Sequence, residues 1–341
     1  MFFGLPRLEA GGNNPYMNQA LTLQFKVLQS IRDFFKSRDF VDVLTPPMVE
    51  NPGMEPHIHP FKVVSAYPQQ YSQHYLHTSP EFHMKQLLSY GFKKIFTLNY
   101  CFRDEPHSRL HRPQFLMLEW YRAGEHYSKI QEDSLELIKF VASDLKNNNF
   151  IIDESFLTNE PIIFTIKEAF KNFVSLNLDD VLEAQDFKMW IKSHLPSVPL
   201  PSVELSWDDY FFLVFLNEIE PKLKQFPICL LKEYPASMAA LSTLKPNDSS
   251  VCERFEIYLH GIEVANCYNE LTNLSEQRKR FQFQNNLKKE LYQYQLPEPK
   301  QFYATMQKGL PSSSGIALGV ERLIMALTKN EDVFWPSPEE N

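Results

Sequence analysis

Glycine is scarce in this chain: ten residues in 341, where an average usage of about 7% would give more than twice as many. Each glycine therefore asks for a local reason, and Gly261, Gly315 and Gly319 all fall in the last quarter. Cysteine is equally thin. Cys101, Cys229, Cys252 and Cys267 are scattered and form no CxxC pair, so neither a zinc site nor a disulfide framework is suggested, and a reducing cytoplasm is the expected compartment. Positive charge is in deficit, with 34 Lys and Arg against 42 Asp and Glu and a net charge of −8. That balance does not advertise the broad basic face of a nucleic-acid footprint, although it is compatible with a local patch. No apolar run reaches the 18 residues of a membrane span. The opening "MFFGLPRLEAGGNNP" has no charged n-region and no long apolar h-region, so neither a span nor a signal peptide is expected. What is abundant is core material: 43% apolar residues and 28 Phe favour an ordered chain of one large domain or two ordinary ones.

Residues 1–17 read as a loose leader, 18–330 as the folded unit and 331–341 as a tail. Leu21, Phe25, Leu28, Ile31 and Phe35 recur at helical spacing. "FVDVLTPPMVE" reads as a short strand halted by Pro46 and Pro47. His57 and His59 form an HxH that could ligate a metal but lacks a third ligand nearby. "HTSPEFHMKQLLSYG" reads as a helix, with Thr78 and Glu81 at capping-box spacing, Pro80 in the first turn and Gly91 beyond the end. Further helices are expected over 128–146, 166–173 and 207–219, and "RKRFQFQNNLKKELYQYQ" reads as a solvated one.

Three stretches carry chemistry. "FTLNYCFRDE" alternates, with Phe96, Leu98, Tyr100 and Phe102 on one face and Thr97, Asn99, Cys101, Arg103 and Glu105 on the other. After a polar loop, "FLMLEWYRA" alternates again, with Phe115, Met117, Glu119 and Tyr121 sharing a face. Paired antiparallel, the two strands would present Arg103, Glu105, Phe115, Glu119 and Tyr121 on one wall, which is either a salt-bridged sheet surface or the side of a site. "SSGIALGVERLIMAL" reads as a strand running through Gly315 and Gly319 into a helix, with Val320, Leu323, Ile324 and Leu327 facing a core. Arg322 then lies in the first helical turn, where the helix dipole disfavours a cation unless an anion is bound beside it; the plain alternative is a solvated arginine. In "GIEVANCYNEL", Glu263 and Glu270 stand seven apart. In a regular strand an odd spacing puts side chains on opposite faces. Either the pair has no joint role, or the strand breaks near Asn266 and both carboxylates turn to one object, such as a divalent metal carrying phosphate.

In this order the stretches match the three-part signature of class II aminoacyl-tRNA synthetases. "FVDVLTPPM" resembles their dimer-interface motif, "FRDE…QFLMLEWY" the second and "GIALGVERL" the third; "TSPEFHMKQLL" and "GIEVANCYNEL" resemble lysyl-tRNA synthetase most closely. The resemblance spans about residues 18–328. It implies an α+β fold, an antiparallel sheet flanked by helices, in a cytoplasmic homodimer with no membrane association. The first core helix starts near residue 18, without room for the anticodon-reading domain of such synthetases. With "YPASMAAL" and Ala317 in place of the usual glycine, that architecture resembles the ligases that attach (R)-β-lysine to a lysine of elongation factor P. The extra methyl would crowd an α-amino acid and admit a β-amino acid, an effect of a few kcal/mol at most.

The resemblance implies an ATP- and Mg²⁺-dependent adenylation. It assigns Arg103 to the α-phosphate and Arg322 to the γ-phosphate as the catalytic pair. Asp104, Glu105, His111, Arg112, Phe115, Val264 and Gly319 would complete the ATP site. Glu263 and Glu270 would carry Mg²⁺, and Glu270 would also touch substrate. Ser79, Pro80, Glu81, Glu119, Tyr121 and Ala317 would hold (R)-β-lysine or lysine. Two departures stand out: "HRPQF" where the family has "HNPEF", and Cys267 where it has glycine after Asn266. If the bend needs a positive φ there, Cys267 would be strained. Competing readings are a stripped synthetase acylating tRNA, disfavoured by the acidic balance and Ala317, and a non-catalytic paralogue, disfavoured because Arg103, Glu263, Glu270 and Arg322 are all present.

Overall fold

The computed structural model describes residues 15–67, 73–106, 108–331 and 333. The leader, except for its last residues, and most of the tail lie outside them. Helix α1 (Pro15–Lys36) comes first. An eight-stranded sheet follows: β1 (Val41–Asp42), β2 (Lys94–Phe102), β3 (Gln114–Ala123), β4 (Ile162–Thr165), β5 (Ile228–Lys232), β6 (Arg254–Leu259), β7 (Ile262–Asn269) and β8 (Ser313–Gly319), in the order β1-β2-β3-β8-β7-β6-β5-β4. The two edge pairs are parallel and all pairs between them antiparallel.

The alternation seen in the sequence sets the two faces. Phe96, Leu116, Leu118, Trp120, Ile316, Leu318, Phe255 and Ile257 form one core with α1, α3 (Tyr127–Asn147) and a last helix (Val320–Thr328). Arg122 locks β3 to α3 through two buried hydrogen bonds to Asp133, at 2.6 and 2.8 Å. Helices between 166 and 223 build a second apolar cluster against Cys229, Leu231 and Tyr258. This leaves the opposite face of the central strands open for a cavity. Among the described residues no helix is long and apolar enough to cross a membrane.

One local expectation is corrected and two are refined. Helix α2 (Glu81–Ser89) has no capping box: the Thr78 hydroxyl donates instead to the Pro52 carbonyl at 2.7 Å, and Ser79 Oγ accepts the Glu81 N–H. The expected helix 207–219 is α-helical only to Val214 and widens into a π-turn over Phe215–Ile219. The solvated helix begins earlier, at Leu274, runs to Tyr292 and buries Gln277, Phe281 and Lys288. One of its three lysines is not surface charge: Lys288 Nζ donates to the carbonyls of Pro56 and Ile58 at 2.7 and 2.8 Å.

Candidate active site

The open face of the sheet is the floor of a cavity of about 290 Å³. The strand register lays Glu119, Ala317 and Asn266 in one row, and Tyr121, Gly315 and Tyr268 in the next. Gly315 is required by close approach: a Cβ there would lie 2.1 Å from the Tyr121 ring and 2.8 Å from Glu270 Oε1. Glu119 is fully buried, accepting from Ser79 Oγ at 2.5 Å and the Tyr121 hydroxyl at 3.1 Å. Burial, with Glu81 adding, pushes its carboxyl up to about 8.

The spacing of Glu263 and Glu270 is resolved by a bulge. Tyr258 pairs with Glu263 and Ile257 with Ala265, which leaves Val264 as one extra residue in β7. One extra residue shifts the alternation by one. Glu263, Asn266, Tyr268 and Glu270 therefore all line the cavity. The break expected near Asn266 lies two residues earlier, at Val264. Cys267 is buried in the core with no positive φ, so the anticipated strain does not arise.

The two glutamates differ in what they meet. The Glu270 side chain is 1% exposed and paired with Lys85 Nζ at 2.7 Å; the same ammonium meets Glu81 Oε1 at 2.6 Å. Burial alone would lower the Lys85 pKa, but Glu270 and Glu81 outweigh it and hold the cation. The Glu263 side chain is 41% exposed, and its nearest cation is Arg322 at 3.9 Å. Partial burial and then Glu256 raise the Glu263 carboxyl above the usual carboxylate range.

At the other end, Arg322 spans the cavity, with Nη1 donating to the Glu263 carbonyl at 3.0 Å and Nε to Leu110 at 3.4 Å. It is anchored, not solvated. Its neighbour Glu321, buried at the helix start, accepts the Leu116 N–H at 2.9 Å and so fixes the strand end that carries Phe115. The Arg103 guanidinium lies 5.2 Å from the Phe115 ring centre. Glu105, His111, Arg112 and Gly319 complete this end of the lining. Two expected residues are elsewhere. Asp104 is exposed, its N–H bound to the His59 carbonyl at 2.7 Å, and Pro80 is buried as the residue before α2. Gln114 is exposed and lies outside the lining. His57 and His59 are occupied by the hydroxyls of Tyr292 and Tyr294, at 2.9 and 2.7 Å.

Sequence reasoning missed Asn266, Tyr268, Lys85 and Glu55. The alternation leading to Glu270 could have found the first two. Arg254 holds Asn266 from behind, Nε to Oδ1 at 3.1 Å, and Asn266 in turn donates to the Tyr268 hydroxyl at 2.9 Å. The cavity is thus bipolar: guanidinium groups and an aromatic ring at one end suit a nucleotide, and buried carboxylates at the other suit a cationic substrate.

A family model described as tRNA synthetases class II (D, K and N) matches residues 9–335. A relative from Vibrio cholerae, named elongation factor P–(R)-β-lysine ligase, is 34% identical over 94% of this chain and 95% of its own length. Proteins of the same name from Pseudoalteromonas translucida and Proteus mirabilis are each 32% identical, over 90% and 88% of both chains respectively. The sheet with its bipolar cavity and the near end-to-end match agree: the chain belongs to the class II tRNA synthetase family.

Proposed function

We propose that this chain activates (R)-β-lysine as an acyl-adenylate and transfers it to a lysine side chain of elongation factor P, acting as a cytoplasmic homodimer with no part for tRNA. The observation that carries the reading is the bipolar cavity, with Ala317 on its floor between Glu119 and Asn266. The names of relatives aligned over about nine-tenths of the chain support the acceptor.

The substrate carboxylate attacks the α-phosphorus of ATP, and pyrophosphate leaves. Arg103 meets the charge growing on the α-phosphoryl oxygens, a fixed donor that needs no reorganisation. Arg322 holds the outer phosphates, and Phe115 stacks on adenine. An acceptor ε-amine then attacks the carbonyl carbon of the adenylate; AMP leaves and the amine loses a proton. Mg²⁺ is a hard ion that binds through one or two carboxylates together with substrate phosphates, and among the described residues no three acidic, histidine or cysteine side chains cluster to hold it alone. Glu263, open to the cavity, would be its carboxylate ligand. Bound there, the ion would neutralise phosphate charge. Glu270, committed to Lys85, belongs with Glu81, Glu119 and Tyr121 at the ammonium end.

ATP–pyrophosphate exchange with (R)-β-lysine and L-lysine side by side tests this. A strong preference for the β isomer is expected, followed by label transfer to elongation factor P. A preference for L-lysine with acylation of tRNA would overturn it.

A further inference from the structure

The loop 53–59 has no secondary structure and no sequence motif that the site has absorbed, yet several devices converge on one side chain in it. Glu55 lines the active cavity beside Glu81 and Arg103. Its Oε2 accepts the Met54 N–H at 3.0 Å. Gly53 sits at φ +138°, and a Cβ there would lie 2.6 Å from that oxygen, so the fold-back of the carboxylate needs glycine. From behind, Lys288 grips the carbonyls of Pro56 and Ile58 at 2.7 and 2.8 Å, and that of Glu55 at 3.3 Å. The backbone is held on both sides of the residue.

What Glu55 lacks is a cation. Glu81 and Glu270 share Lys85, and Glu119 has two hydroxyl donors. Among the described residues Glu55 has no ion-pair partner within 4.0 Å. A carboxylate drawn into a cavity without a counter-charge is costly until something brings one. Its place along the cavity follows from its neighbours. The Gly53 turn that its Oε2 folds against also lies beside the Thr78 hydroxyl, and the Thr78 carbonyl accepts from Arg103 Nε at 3.4 Å. Glu119 and Glu270 instead meet the Tyr121 hydroxyl and Lys85. Glu55 therefore lies towards Arg103, at the reacting end, and Glu119 and Glu270 away from it; burial and then Glu81 raise its carboxyl, with Arg103 among the groups that lower it.

Resting on the adenylation reading above, we propose that Glu55 is a specificity-determining residue that receives the substrate ammonium nearer the reacting carboxylate. A diamino acid then spans the cavity with one ammonium on Glu55 and Glu81 and the other on Glu119 and Glu270. A monoamino acid lacking the near amine gains nothing from Glu55 and binds more weakly than the diamine.

The test compares Glu55→Gln and Glu55→Asp with the wild type in ATP–pyrophosphate exchange, with 6-aminohexanoate, which lacks the near amine, as a competitive inhibitor. Glu55→Gln should raise the KM for (R)-β-lysine about 10- to 100-fold, the worth of a charge-assisted hydrogen bond. The KM for ATP and the inhibition constant of 6-aminohexanoate should stay within about twofold, and Glu55→Asp should recover part of the loss. Equal losses for ATP, diamine and inhibitor would show a structural role and overturn the inference. Wild-type exchange that Glu55→Gln leaves unaltered would overturn it alone. Absence of wild-type exchange with every diamine would overturn the adenylation reading and this inference with it.

Discussion

Glu263 and Glu270 look equivalent in the sequence and are not equivalent in space, because what distinguishes them is contributed by distant residues. Lys85, on α2, neutralises one; Arg322, in the last helix, faces the other across a wider gap. The role split makes a kinetic prediction. Glu263→Gln should raise the KM for ATP and the Mg²⁺ concentration needed for exchange, with little change in the diamine KM. Glu270→Gln should do the reverse, each by about 10-fold or more. Steady-state exchange with each substrate varied in turn checks it, and a common pattern for both variants would return Glu270 to the metal. Lys85 itself should tolerate no apolar replacement. Lys85→Met leaves the buried Glu270 and the half-buried Glu81 without a cation, a loss of about 3–5 kcal/mol, which chemical denaturation would read directly.

At the scale of elements, strand alternation was legible and its interruption was not. Arg103, Glu119 and Tyr121 could be placed on one wall because β2 and β3 are regular over nine and ten residues. A bulge has no such signature: nothing in the composition of "IEVAN" marks Val264 as the extra residue, which is fixed by the pairing of Ile257 and Tyr258 across the hairpin. The helix from Leu274 is solvated over most of its length, as its composition indicates, but the burial of Lys288 is not legible for a related reason. Its burial comes from a loop more than 200 residues earlier, which Lys288 holds by its carbonyls, and no helical period encodes that. The bulge can be tested. Deleting Val264 would restore regular pairing, which turns Glu263 away from the cavity while Asn266, Tyr268 and Glu270 keep their face. Exchange should fall at least 100-fold with far-ultraviolet dichroism unchanged. Retained activity would show that Glu263 has no part in the reaction.

For the whole molecule, the sheet has one face given to the core and one to a site, and the second is where the fold keeps carboxylates it does not fully compensate. The first is legible from apolar spacing. The second emerges only when strands distant in sequence are brought into register, as Glu119, Ala317 and Asn266 are. Burial raises Glu119 to about 8 and Glu321 to about 7, so the folded chain keeps protons there that the unfolded chain has released. These two carboxyls contribute stability that is lost as pH rises from the ordinary carboxylate range through about 8, the sign set by more protons bound to them in the native state. A diammonium substrate acts against this. It favours the Glu119 carboxylate, so binding should release a proton below pH about 8, and the diamine KM should drop as pH approaches that value. Thermal melting between pH 6 and 9 should show the unliganded protein losing several degrees, with Glu119→Gln flattening the slope and (R)-β-lysine with ATP narrowing the loss. Equal slopes in the wild type and Glu119→Gln would mean that Glu119 is ionised before substrate arrives, and that the ammonium end of the cavity is held charged by the protein alone.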